Sequence, residues 1–486
     1  MPKTSVFHIF CLILISTNHA LGADSYDEDF GMSSTTESTA AEPPKIRILK
    51  PSGKVSQTIN SYTQPIVDYN TYESRTDLEV GTSVSKGPYQ IKILPWAWLK
   101  APDSLGAKPR KTRAYFEIKE GWVERTSDAC DIRVGNQLIT WGAADQINPT
   151  DNWNSRDMSD LFQSTKLPQT TARLNLHFPS LPNYSFELLA SPFFRPNQLP
   201  IAYPDSGVVD LQKTESRWLL PAPSRVSTID LTAPIIYKIA EPTYPKTYQI
   251  AGRLQFLRIG NWDFSTSYFS GVEKMPRFTF LKQGNASSTS LPITLTLLPS
   301  FHRTSIYGLD GAGSFDALST SFGFRFEIAY TNPDNSRVND LPPEHKQDLT
   351  KVDSMMGVMG IDHTFEKKVW GTVLYINGMY VHSQDVQKSP FPVGNYTVEG
   401  LPTTSPWDRN LVLYIEDRVS TKFKINNIVI FSFLHTDGMD SPSFQYSFTD
   451  NLKASTGLDF FFGRKSGFFG QFYDNNRATL SGSYVF

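Results

Sequence analysis

The chain has 486 residues, with 46 basic and 48 acidic side chains and a formal charge of −2, which argues against nucleic acid or any other strongly charged polymer as a partner. Hydrophobic residues reach 39%, low for a core of that size, whereas aromatics reach 13%, with 33 Phe and 21 Tyr. That mixture disfavours two or three soluble domains and suits one closed sheet with a thin apolar band, aromatic girdles and a wet interior.

Residues 1–22 read as a signal peptide: Lys3 is the positive end, 6–16 (VFHIFCLILIS) the apolar stretch, and Ala20, Gly22 and Ala23 the small residues of a cleavage site. No other run is apolar enough for a membrane helix. Cys11 lies inside the apolar stretch and no Cys follows the small residues, so an acyl anchor is not expected. Cys130 is then alone in the mature chain; it reads as a buried or turn thiol rather than a reactive one. Residues 23–75 read as a disordered periplasmic lead, because 33–44 (SSTTESTAAEPP) carries too little apolar surface to order itself. It is a plain disordered terminus or a partner-binding tail.

From residue 76 to 486 the hydrophobic period is two, the signature of strands with one face in lipid and one in water. Ile132, Val134 and Leu138 alternate with Arg133, Gly135 and Gln137; residues 142–170 then form a long connection rich in Asp, Asn and Pro. In 171–178, Ala172, Leu174, Leu176 and Phe178 oppose Thr171, Arg173, Asn175 and His177. In 184–191, Tyr184, Phe186, Leu188 and Ala190 oppose Ser185, Glu187 and Ser191. Ile250, Gly252, Leu254 and Phe256 oppose Gln249, Arg253 and Gln255, and Phe322 to Tyr330 oppose Ser321, Gly323, Arg325 and Glu327. The expected lumen wall therefore includes Arg133, Arg173, His177, Glu187, Arg253, Arg325 and Glu327. This mixture of signs implies weak ion selectivity or a salt-bridged wall with no selective role.

Polar stretches near 193–228, 271–292, 331–353 and 382–408 read as surface loops. At about 25 residues per strand and connection, the chain makes an all-β, transmembrane, antiparallel up-and-down barrel of about 16 strands, with 14 to 18 allowed. Three strand candidates between the first two loops leave the parity unbalanced. The chain ends ATLSGSYVF; Tyr484 and Phe486 share the lipid face and resemble the closing-strand signal read by the barrel assembly machinery.

The 142–170 connection, entered through Trp141, carries Trp153, Met158, Leu161 and Phe162, which open water does not favour, so it is a candidate lumen constriction lined by Asp145, Asn148, Asp151, Asn152, Arg156 and Asp157. Two other readings stand beside it: these side chains cap turns and pair with the wall, or they gather oxygen ligands for Ca²⁺, although the spacing matches no EF-hand loop.

The strand VGNQLITWG (134–142) followed by ADQINPTDNWNSRD (144–157) resembles the DUF1302-like family of proteobacterial outer-membrane proteins. The resemblance implies a β-barrel in the bacterial outer membrane, with relatives near export or lipid-handling systems and no shared catalytic residues. The expected function is passage of small or amphiphilic solutes without chemistry, cofactor or metal. Lipid, lipopolysaccharide and the assembly machinery are the expected partners. A closed, surface-binding barrel is the alternative. A loop-borne hydrolase built on His435, Asp437, Asp440 and Ser441 is a third reading, weakened by the lack of any recognisable motif.

Overall fold

A computed structural model describes residues 46–64, 71–101, 113–144, 147–198, 208–210, 218, 232–237, 246–275, 277–283, 294–337, 353–367, 372–385, 408–434, 436–464 and 468–486. Eighteen strands form one closed antiparallel barrel. In chain order they are β1 (Ser52–Tyr62), β2 (Tyr72–Lys86), β3 (Tyr89–Ala101), β4 (Arg113–Arg125), β5 (Cys130–Gln137), β6 (Gln169–His177), β7 (Tyr184–Ser191), β8 (Gln249–Ile259) and β9 (Trp262–Val272). The second half is β10 (His302–Ala317), β11 (Thr320–Arg337), β12 (Ser354–Lys367), β13 (Thr372–Asp385), β14 (Asp408–Arg418), β15 (Phe423–Ser432), β16 (Asp437–Ser447), β17 (Leu452–Phe462) and β18 (Arg477–Val485). Each strand pairs with its neighbour in sequence, and β1 closes the ring on β18 from Lys54↔Val485 to Tyr62↔Arg477.

Two sequence expectations are corrected. The barrel begins at Ser52 and not at residue 76, so the second half of the expected lead is a closing strand. Gln57 sits in its outward row beside Val55 and Ile59, which blurs the alternation. Its amide donates to Ser74 Oγ at 2.7 Å and its carbonyl accepts from Thr76 Oγ1, so the polar group is satisfied on the membrane face. Residues 1–45 lie outside the described residues. The parity problem dissolves because Thr232–Tyr237 is not a barrel strand. It pairs instead with Val208–Asp210 and Thr294–Ser300 in a separate four-stranded sheet that also holds Arg277–Gln283.

The two ends of the barrel differ. Eight connections at one end are short, down to the two-residue turns at 87–88, 260–261 and 318–319, and both termini of the barrel lie at that end. The opposite end carries the longer segments 138–168, 192–248 and 273–301. By the usual asymmetry of such barrels, the short-turn end is periplasmic and the long-loop end external.

The outward rows are apolar and exposed: Phe116 is 70%, Leu480 56% and Met359 55% accessible, values that make sense only with lipid as the solvent. At the closing edge Tyr484 and Phe486 stack at 6.2 Å on this face, and the Phe486 N–H and C=O both bond to Gly53 at 2.9 Å. Gly53 has to be glycine there, because a Cβ would lie 2.5 Å from the Glu79 carbonyl oxygen and 2.6 Å from the Phe486 ring. Among the described residues no helix is long and apolar enough to cross a membrane.

Candidate functional site

Residues 138–168 leave β5, turn into the barrel and return to β6. They carry the buried side chains Ile139, Trp141, Ile147, Trp153, Met158, Phe162 and Leu167, which are 0–3% exposed although they belong to a connection and not to a strand. A loop this apolar is stable only inside the lumen, where wall and loop cover each other.

Thr171 of β6 accepts from Trp153 Nε1 at 2.8 Å, and three charged wall positions hold the loop as well. On β11, Glu327 is fully buried and its carboxylate takes four hydrogen bonds from the loop. Oε1 accepts from the Ala143 and Ala144 N–H groups at 2.7 and 2.6 Å; Oε2 accepts from Thr150 N–H at 3.3 Å and Thr150 Oγ1 at 2.9 Å. Gly142 lets the backbone come this close: its φ is +103°, and a Cβ would collide with the same carboxylate. On β7, Glu187 accepts from Trp141 Nε1 at 2.9 Å while pairing with Arg173 at 2.8 Å. On β18, the fully buried Arg477 joins Asp160 of the loop to Asp459 of β17, the latter at 2.6 Å, and lies 4.8 Å over the Trp218 ring. Burial pushes the Asp160 carboxyl up, against the downward pull of Arg477.

The far side of the loop is apolar. Phe162 meets Phe461 at 4.6 Å, Trp218 at 5.4 Å and Phe472 at 5.5 Å between ring centroids. Met356, Val358, Val412, Ile428, Ile430 and Met439 of β12 and β14–β16 complete that cluster from the wall. Apolar side chains therefore face inward over part of the long-loop half of the barrel, where alternation alone would place polar ones.

The polar loop residues serve mostly the loop itself. Asp151 is 6% exposed; it accepts from Trp141 N–H at 3.3 Å and pairs with Lys166 at 2.6 Å and Arg156 at 3.3 Å. Burial holds the Lys166 ammonium and the Arg156 guanidinium below their ordinary values, against the opposing charge of Asp151. Asn152 donates to the Pro149 carbonyl at 2.8 Å, Asp157 accepts from Ser159 N–H at 2.9 Å, and the Asn148 carbonyl accepts from Asp151 N–H at 3.1 Å. Thus Asn148, Asp151, Asn152, Arg156 and Asp157 take part in turns and internal ion pairs of the loop, as buried polar groups take the nearest partner. Asp145 lies outside the described residues. Among the described residues no group of three or more His, Cys, Asp or Glu is placed to hold a metal ion.

Each wall residue singled out from the sequence stands on an inward row, and each is engaged. Arg133 pairs with Glu124 at 2.9 Å over the Trp122 ring, His177 with Asp131 at 2.7 Å, Arg253 with Asp310 at 3.1 Å, and Arg325 with Asp362 at 3.6 Å. Of the residues of the hydrolase reading, three are described. Asp437 and Ser441 point inward, accepting from the Phe469 and Gly470 N–H groups and donating to Asp459, whereas Asp440 sits on an outward row. His435 lies outside the described residues.

The sequence reading missed the wall of β2–β4. Arg75, Asp77 and Glu79 stand in register with Lys100, Trp98 and Trp96, and the last two of these with Tyr115 and Glu117. Arg75 chelates Asp77 at 2.8 Å and lies 4.9 Å over Trp98, and Lys119 pairs with Glu79 at 2.6 Å. The Arg75, Asp77, Glu79 and Lys119 side chains keep 19–27% of their surface, unlike the apolar wall opposite. Part of the β2–β3 wall thus stays accessible, while on β4 Tyr115 and Glu117 are bound by Arg195 of the 192–198 connection. A bulge at Leu94/Pro95 breaks the period there, which is why the pattern was hidden.

About nine-tenths of the chain has known structural likenesses. Acinetobacter baumannii OccAB1 aligns with a TM-score of 0.51 at 8% identity over 90% of this chain and 96% of that one. The fold is that of an outer-membrane β-barrel. Weaker similarity joins this barrel to Pseudomonas aeruginosa OccK8 (OprE), with TM-score 0.48, 8% identity and coverage of 90% and 98%. It also joins it to Escherichia coli Wzi, described as a carbohydrate-binding β-barrel involved in group 1 capsule assembly, with TM-score 0.42, 10% identity and coverage of 89% and 84%. No family model matches the barrel's sequence, and no curated protein does.

Proposed function

We propose that this barrel admits small or amphiphilic solutes through the bacterial outer membrane, along the ionic wall of β2–β4, past a constriction made by residues 138–168. The observation that supports the reading is the split lumen: the loop seals one side with an apolar cluster and leaves partly exposed ion pairs and aromatic rings on the other. Paired charges in a wet gap present donors, acceptors and ring surfaces without a strong net field, which suits neutral or zwitterionic solutes with an apolar part. On this reading no chemistry, cofactor or metal is involved, and the partners are outer-membrane lipid, lipopolysaccharide, the assembly machinery and the solute. Kinship with the DUF1302-like family, carried by 134–157, belongs to the same proposal.

The deep burial of the loop also favours a second reading, a barrel closed at rest. Single-channel recording in planar bilayers of the refolded protein and of a variant lacking residues 144–163 separates the two. Steady conductance that rises in the variant supports the passage. Silence in the full chain with conductance in the variant means a resting closed barrel, and silence in both sinks the transport reading.

A further inference from the structure

A groove that the barrel does not fill lies on the membrane-facing wall. It runs over β11–β14, has a volume of about 520 Å³, and is lined by Phe324, Phe326, Ile328, Gly357, Met359 and Tyr380, with Arg409 at its end. The rungs explain its shape. Phe326, Met359, Tyr380 and Leu411 form one outward row across the four strands, and Ile328, Gly357, His382 and Arg409 form the next. Gly357 removes the side chain that would fill the second row, and Gly378, on the row beneath, removes another.

Neither glycine is required by the local structure. A Cβ at Gly378 meets nothing within 4 Å, and one at Gly357 meets only the Glu327 carbonyl oxygen at 3.9 Å; neither has a positive φ. Glycine within a strand is unfavourable unless something approaches the backbone closely. Nothing in the described barrel does, and together with the apolar lining this leaves the groove open to the membrane.

Charge identifies the class of lipid. Arg409 is the second residue of β14, at the long-loop end, and it is exposed with no ion pair among the described residues. A guanidinium above an apolar groove, at the level of the external headgroups, fits a phosphate with an acyl chain beneath it. We propose that the groove seats one acyl chain of a phosphorylated outer-leaflet glycolipid, the lipid A part of lipopolysaccharide, with a phosphate on Arg409. This goes beyond solute passage and does not depend on it.

The test uses the full chain purified in mild detergent, with bis-phosphorylated lipid A and its dephosphorylated form as probes in native mass spectrometry and thermal unfolding. Gly357→Leu fills the groove in open space, Arg409→Gln removes the charge, and Gly482→Leu, at a glycine on the membrane face with nothing within 4 Å, is the control. The expected result is retention of phosphorylated lipid A by the parent and control, binding about tenfold weaker in Arg409→Gln, and loss of binding in Gly357→Leu. Dephosphorylated lipid A is expected to bind the parent no better than phosphorylated lipid A binds Arg409→Gln. The proposal is overturned by a parent that retains no lipid A, by equal retention in all variants, or by phosphatidylglycerol competing as well as lipid A does.

Discussion

Replacing Glu327 by Gln is the sharpest probe of how the loop is held. The carboxylate is fully buried and accepts from three N–H groups and one hydroxyl between 2.6 and 3.3 Å. A hydrogen bond to a charged acceptor contributes about 1.5–3 kcal/mol. Gln keeps one acceptor oxygen and turns the other into an NH₂ that faces donors. Either the Ala143/Ala144 pair or the Thr150 pair then loses its partner, a cost of about 3 kcal/mol once non-additivity is allowed for. That corresponds to about a hundredfold shift towards a loop detached at 143–150. Hydrogen exchange by mass spectrometry on a peptide covering 143–150 reads the shift directly, and bilayer recordings should show more frequent openings. Exchange protection equal to that of the parent would refute the assignment of Glu327 as the principal anchor. If Gly142→Ala, which crowds the same carboxylate from the other side, left protection intact, it would refute it as well.

Three other outcomes are expected. Arg477→Met strands Asp160 and Asp459 as buried carboxylates and costs about 3–5 kcal/mol, seen as a lower unfolding temperature in detergent; adding Asp459→Asn recovers part of the loss, and no recovery would show that packing against Trp218 is the larger effect. Lys274 follows β9 and lies 5.6 Å from the Phe194 ring; burial pushes its ammonium down to about 7. Its docked-state value is below the ordinary one, so the undocked form binds more protons in between. Docking of 192–198 therefore strengthens as pH rises from about 7 towards the ordinary lysine range and is weakest below about 7; pH-independent protection of that segment, after correction for intrinsic exchange, rules this out. Neutralising Arg75 and Lys119 together should leave Asp77 and Glu79 without their cations and turn a weakly selective passage cation-selective, and an unchanged reversal potential would place the path elsewhere.

Much of this protein is written locally. In 171–178 and 184–191 each residue answers to lipid or to water, so the period of two reveals the faces, the lumen-wall residues and the barrel class without knowledge of any partner. The apolar content of the 138–168 connection likewise announces that it cannot lie in open solvent. What closure decides is not local: Ser52–Tyr62 is a strand because β18, more than 400 residues away, supplies its second edge, and its outward Gln57 hides it from any pattern search. Nor does sequence tell which carboxylates the folded loop consumes. Asp151 and Asp157 are consumed by donors that come near only once the loop folds, whereas Asp77 and Glu79 pair with Arg75 and Lys119 of the wall and keep part of their surface, the loop packing instead against Phe461 and Met439. Alternation records the two solvents on either side of a wall; the tertiary structure alone decides which part of that wall is covered by the chain's own loop and which still meets water.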